Sequence, residues 1–178
     1  SNTYFHANKY MQNAYICQYF LRFLLAVVNP IVVLALSTGM RQGEIMNLTR
    51  ADVDFERQSI TLHKTKNGEI RSVPLVGLSL ELLKKHSQFY RFDTPLLFPG
   101  KNPQKPMEMR KAWLKAFQEA KIKDFKPHDL RHSCASYLAI GGASTLEIAE
   151  VLGHKTLAMV KRYAHLSKEH TKKVLERM

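Results

Sequence analysis

Two apolar runs of six residues, FLLAVV and IVVLAL, are split by Asn29-Pro30. Neither run is long enough to span a bilayer. Proline cannot sit in a helix interior without cost, but it suits the first turn. The pattern therefore predicts two buried helices meeting at this point, one over residues 10–28 and one over IVVLALS. Asn29 is the expected N-cap of the second, and Gly39 its stop. A chain with this much buried helix needs a core around it. At 178 residues, 45% of them hydrophobic, the chain is large enough for one domain with such a core.

The rest of the chain reads as helix with one small antiparallel sheet, an α+β fold that is mainly α. A short helix is predicted over Gln42–Leu48. SITLH (59–63) alternates like a strand, Asn67-Gly68 is a hairpin signal, and IRSVPL (70–75) returns as the partner strand. LLFPG (96–100) is the candidate third strand. Further helices are expected at 78–90 and 107–120. After residue 128 the chain is helical, with Leu130, Cys134, Tyr137 and Leu138 sharing a face until Gly141-Gly142. Ser144 and Glu147 match a capping box for a helix that Gly153 closes. Another helix is predicted over 156–164, and a final one in SKEHTKKVLERM. No repeat, low-complexity linker or internal boundary divides residues 1–178, and Ser1-Asn2 has the look of an expression remnant.

Composition narrows the partner. The formal charge is +12, which on a folded domain favours a polyanion through long-range attraction and counterion release. A membrane surface is the competing partner. No signal peptide is visible. Cys17 and Cys134 are far apart and not spaced for metal, so both are expected to be reduced, as in a cytosolic protein.

Four stretches could carry chemistry. His128 and Arg131 stand three apart near a helix start, where free N–H groups favour anions and an arginine can grip two phosphate oxygens. Alone, this pair reads more readily as solvated helix surface. A metal half-site would need further ligands that the nearby carboxylates do not supply. In STGMRQGEIMNL (37–48), Arg41 follows the glycine stop, and Glu44 is placed to hold it or to cap the short helix. An arginine so framed by apolar residues needs a partner, because burying a lone guanidinium is costly. Lys64 and Lys66 flank the hairpin tip, either as a solvated turn or as cations on a finger that reaches a DNA groove. In VLGHKTLAMVKRYAHL (151–166), His154 follows the helix-ending glycine and Tyr163 lies nine residues on. A tyrosine there is ordinary packing, or else a nucleophile whose phenolate the surrounding Lys161, Arg162 and two histidines favour.

Taken together, TGMRQGE, the lysine of TKNGEIRSVPL, HDLRH, LGH and RYAHL resemble, in order and separation, the motifs of the tyrosine recombinases, or phage-type integrases. The resemblance covers about residues 10–170. It implies the catalytic-domain fold of that family, as a single domain over 1–178 that leaves no room for the family's usual N-terminal DNA-clamping domain. It also implies catalytic roles. Tyr163 matches the nucleophile, Arg41 and Arg131 the arginines bracketing the scissile phosphate, and His128 the histidine paired with the second of them. His154 matches a position filled by histidine or tryptophan. Lys66 matches the hairpin lysine, seven residues before Val73, with Lys64 the second choice. Glu44 matches a supporting acidic position. Arg41, Lys64, Lys66 and Arg131 would be the DNA contacts.

The implied activity is site-specific cleavage and rejoining of DNA strands through a 3′-phosphotyrosine, with no ATP, metal or other cofactor. Double-stranded DNA is the implied partner. A tetramer on two DNA sites is implied for a full-length protein, while the isolated domain is compatible with a monomer. The implied setting is cytoplasmic and nucleoid-associated, of bacterial or phage origin. Two rivals share part of the pattern. A type IB topoisomerase would use the same chemistry without joining new partners. A non-catalytic helix-turn-helix over 144–163 would account for the charge but not for Arg41 or the hairpin lysine.

Overall fold

The computed structural model describes residues 27–63, 70–89, 91–154, 156–167 and 176. The helix expected over 10–28, apart from its last two residues, lies outside this set, as do Cys17, the Asn67-Gly68 tip with Lys64 and Lys66, and all but Ser167 and Glu176 of the final predicted helix.

Helix α1, Asn29–Thr38, is the central element. Asn29 is not its N-cap: a π-helical turn at 27–28 runs straight into it, Val28 has helical φ and ψ, and Pro30 sits in the first turn where its missing N–H costs nothing. Ile31, Leu34 and Ala35 are buried along one stripe. Gly39 ends the helix at φ 62°, a left-handed conformation that favours glycine. A second constraint acts there, since a Cβ on Gly39 would come 2.5 Å from Leu152 Cδ2.

Helix α2, Gln42–Met46, follows at once, and the chain then enters a three-stranded antiparallel sheet. Strand β1 is Val53–Asp54, β2 is Ser59–Leu62 and β3 is Arg71–Pro74, in that spatial order. Ile60 pairs with Val73, and Leu62 with Arg71. The alternation read in SITLH holds, with Ile60 and Leu62 buried. Pro74 is tolerated because β3 is an edge strand.

The third strand is β1 rather than LLFPG. Leu96 makes only an isolated bridge to Thr49, and Pro99 another to Pro106. Prolines 95 and 99 bracket this stretch and carry no N–H, so a ladder cannot extend through it. Leu97 and Phe98 are nevertheless buried, and the Leu97 N–H donates to the Leu48 carbonyl at 2.8 Å.

Helices α3 (Leu78–Ser87) and α4 (Arg110–Glu119) come next. They are followed by α5 (Asp129–Ile140) and α6 (Thr145–Leu152). Helix α1 packs against both α3 and α5. On α5 the buried stripe comprises Leu130, Arg131, Cys134, Ala135 and Ala139, whereas Tyr137 is 69% exposed. The expected face was rotated: the small residues at 135 and 139 let α6 and the C-terminal turns approach, which turns Tyr137 outward. Ser144 and Glu147 form the capping box at the start of α6, each side chain taking the other's backbone N–H, at 3.2 and 2.7 Å. Gly153 closes α6 at φ 61°.

The helix predicted over 156–164 is instead two 3₁₀ segments, Leu157–Met159 and Lys161–Ser167. Val160 and Tyr163 point inward to a second apolar cluster with Ala135, Ala139, Ile148, Ala149 and Leu152. The larger cluster lies between α1, the sheet, α3 and α4. No helix among the described residues is long and apolar enough to cross a membrane.

Candidate active site

The touching ends of α1 and α6 form the floor of the site. A helix C-terminus leaves carbonyls unpaired and carries the negative end of its dipole, so it attracts cations. Here two arginines answer that demand. Arg131, 3% exposed, reaches from α5 and donates from Nη1 to the Gly39 carbonyl and from Nη2 to the Leu152 carbonyl, the latter at 2.6 Å. Arg71, from the start of β3, donates from Nη1 to the Val151 carbonyl. Its guanidinium lies flat enough over the chain turn that a Cβ on Gly153 would sit 3.1 Å from it. The Nε–H of Arg71 is buried with no partner among the described residues.

Arg41 stands just past the Gly39 turn. Glu44, with a side chain 7% exposed, accepts the Arg41 backbone N–H on Oε2 and its Nη1 on Oε1, both at 2.8 Å. Both functions expected of Glu44, capping and pairing, are thus performed by one carboxylate. The same Oε2 takes Arg71 Nη2 at 3.5 Å. One carboxylate therefore faces a cluster of three guanidiniums, and the surplus charge is felt across the site. Burial pushes Arg131 down to about 10, with Arg41 and Arg71 repelling it and Glu44 and Tyr163 opposing that. Burial lowers Arg71 as well, offset by Glu44. Both stay charged at neutral pH.

The histidines and the tyrosine close the other side. His128 is the N-cap residue of α5 and lies on the surface. Its pKa is lowered first by partial desolvation and then by His132, Arg131 and Arg41. Burial drives His154 down to about 4, with Arg131, Arg41, Arg162 and Arg71 adding to it, so the ring is neutral at pH 7. Its Nδ1 is buried without a partner among the described residues. Tyr163, 6% exposed, turns its Oη to within 2.5 Å of His132 Nδ1. Burial raises the phenol's pKa, and the opposing pull of Arg162 and Arg131 does not overcome it. Arg162 does favour the phenolate, as expected, but desolvation is the larger effect and leaves the phenol harder to ionise.

Of the residues marked in the sequence, Arg41, Glu44, His128, Arg131, His154 and Tyr163 come together around the α1–α6 junction. Lys64 and Lys66 lie outside the described residues. Two participants were missed. Arg71 sits in the quoted strand IRSVPL, and strand alternation alone puts it on the buried face with Val73. His132 is the last residue of HDLRH, one helical turn beyond His128, with the two rings edge-on at 4.9 Å. Among the described residues no group of three histidine, cysteine or acidic side chains is placed to hold a metal ion.

The phage integrase family model matches residues 7–170, and the chain belongs to that family, the tyrosine recombinases, as a catalytic domain. Among its relatives, it is 35% identical to the shufflon-specific DNA recombinase of Escherichia coli, over 75% of this chain and 33% of the relative. It is 32% identical to the integrase of Salmonella phage P22, over 80% of this chain and 40% of the relative. The chain thus spans well under two thirds of the length of these curated relatives. A solved structure, the catalytic domain of bacteriophage HP1 integrase, superimposes with a TM-score of 0.62 at 28% identity, covering 88% of this chain and 89% of that one.

Proposed function

We propose that this chain cleaves and rejoins DNA strands in site-specific recombination, with Tyr163 as the nucleophile. The observation that supports the reading most is the gathering of Arg41, Arg131, His154 and His128 on the side of the molecule where Tyr163 presents its hydroxyl to His132.

Attack of Tyr163 Oη on a backbone phosphorus would build negative charge on the non-bridging oxygens. Arg41 and Arg131 supply fixed positive charge, and His128 and His154 supply N–H donors. The guanidiniums are already held by backbone carbonyls and Glu44, so little reorganisation accompanies the reaction. Each such preorganised donor is worth ~10²–10³ in rate. Lys66, by its place in the hairpin motif, would protonate the departing 5′ oxygen. The product is a 3′-phosphotyrosine, and a 5′-hydroxyl from a partner strand reverses the step. Bond energy is retained throughout, so no ATP is consumed. Arg41, Arg131, Lys64 and Lys66 would contact the duplex, and assembly of a full-length protein on two DNA sites as a tetramer belongs to the same proposal.

Incubation with a pool of nicked duplexes of randomised sequence tests the reading, because loss of a short 5′ fragment traps the covalent state. The expected result is a protein–DNA complex stable to denaturant and linked to a 3′ end. Absence of any such complex, with the duplexes bound, would leave only a DNA-binding module.

A further inference from the structure

The proposed chemistry leaves one proton without a destination. Tyr163 must lose its hydroxyl hydrogen as the bond to phosphorus forms, and the arginines cannot accept it. We infer that His132 is a catalytic residue, the group that receives the Tyr163 proton on Nδ1. The inference rests on the proposed strand-cleaving role of Tyr163 and supplies the step it lacks.

Three observations carry it. The Tyr163 Oη to His132 Nδ1 distance is 2.5 Å, a direct contact with the reacting atom. The two residues come from different elements, α5 and the last 3₁₀ segment, so the contact is made by the tertiary fold rather than by local sequence. Tyr163 is buried and its phenol holds its proton more firmly than a free tyrosine, so spontaneous ionisation does not supply the nucleophile. On this inference the phenol donates and Nδ1 accepts, which places the ring hydrogen of His132 on Nε2. His128 is less well placed for this task, because it meets His132 by an edge-on ring contact and no hydrogen bond joins it to Tyr163 among the described residues.

The step balances without any added reagent. The Oη–H bond breaks and its proton moves to Nδ1, giving an imidazolium. The Oη electron pair forms the bond to phosphorus, and the P–O5′ bond breaks with its electron pair leaving on the 5′ oxygen, protonated by the general acid. In rejoining, the imidazolium returns its proton to the departing Tyr163 oxygen. Arg131 and Arg162 stabilise the phenolate character that develops between these limits.

The test uses the 178-residue chain, the same nicked duplex pool and His132→Ala. Covalent capture should slow by ~10²–10⁴, the usual contribution of general acid–base catalysis. Duplex affinity should hold, and added imidazole should restore part of the rate. Capture at the wild-type rate, or a slow variant that imidazole does not help, overturns the inference. A second measurement needs no activity: ring ¹⁵N NMR of the wild-type chain should show His132 Nδ1 unprotonated, with a resonance that moves in Tyr163→Phe. A protonated Nδ1 in the neutral ring overturns the assignment. If the wild-type chain captures no DNA, the cleavage reading itself fails, and the NMR result still reports separately on the Tyr163–His132 bond.

Discussion

The arginine cluster and the tyrosine perch are neighbours held in place by different means. Arg41, Arg71 and Arg131 are fixed from several sides, by Glu44, by the carbonyls of Gly39, Val151 and Leu152, and by the close packing of α1 on α6 at Gly39. Tyr163 rides on a 3₁₀ segment, whose hydrogen bonds are poorer than those of an α-helix, and its hydroxyl is held by His132. The charges that would meet a phosphate are thus tied to carbonyls and a carboxylate, while the nucleophile is packed in the second apolar cluster and tied by one hydrogen bond to His132. Substitutions in the first region should cost stability and chemistry together. In the second they should cost mainly chemistry.

Tyr163→Phe is the sharpest break of that pairing. Denaturant-stable adducts should vanish, while the loss of one hydrogen bond lowers stability by only about 0.5–1.5 kcal/mol in a urea titration. Arg131→Ala should reduce the cleavage rate by ~10²–10³. Unlike the tyrosine change, it also strips two carbonyls of their donor, and chemical denaturation should show a loss of about 2–4 kcal/mol. A variant that cleaves poorly but keeps full stability would mean the arginine cluster is not part of the core.

Glu44→Gln keeps the hydrogen-bonding shape but removes the countercharge from Arg41 and Arg71. A stability loss of about 1–3 kcal/mol is expected, with a smaller effect on cleavage than Arg131→Ala. His154 sharpens the comparison through pH. Its pKa is near 4 when folded and near 6.5 when free, so the unfolded chain binds the proton more readily. Stability contributed by the neutral ring is present above pH 6.5 and is lost as pH falls towards 4. Urea midpoints across that range should fall less steeply in His154→Gln than in the wild type. Ser144→Ala lies outside both regions. It should cost about 1 kcal/mol through the lost cap and leave cleavage unchanged.

These contrasts also mark what the sequence made legible. Glycine stops, the capping box and the hairpin strands were readable because each is decided by a few adjacent residues. Gly39, Gly153 and Ser144 sit where local rules put them. The exposed Tyr137 and the 3₁₀ course of 157–167 were not readable, since both depend on how closely α6 and the last turns can approach Ala135 and Ala139. LLFPG carries strand-like apolar residues, but Pro99 within it and Pro95 just before it settle the matter, and both are visible in the sequence. In the site, the motifs pointed to Arg41, His128, Arg131, His154 and Tyr163 without showing what holds them. Arg71 and His132 were both inside quoted motifs. Strand alternation and helical spacing could have flagged them, but their partners, the Val151 carbonyl and the Tyr163 hydroxyl, lie 80 and 31 residues away in the chain.

Peptide mapping of the trapped protein–DNA complex tests the central claim most directly. Digestion followed by mass spectrometry should place a 3′-nucleotide remnant on the Tyr163 side chain. A remnant on any other residue would remove Tyr163 from its role, and with it the case that this cluster of arginines and histidines was assembled around a phosphate facing that hydroxyl.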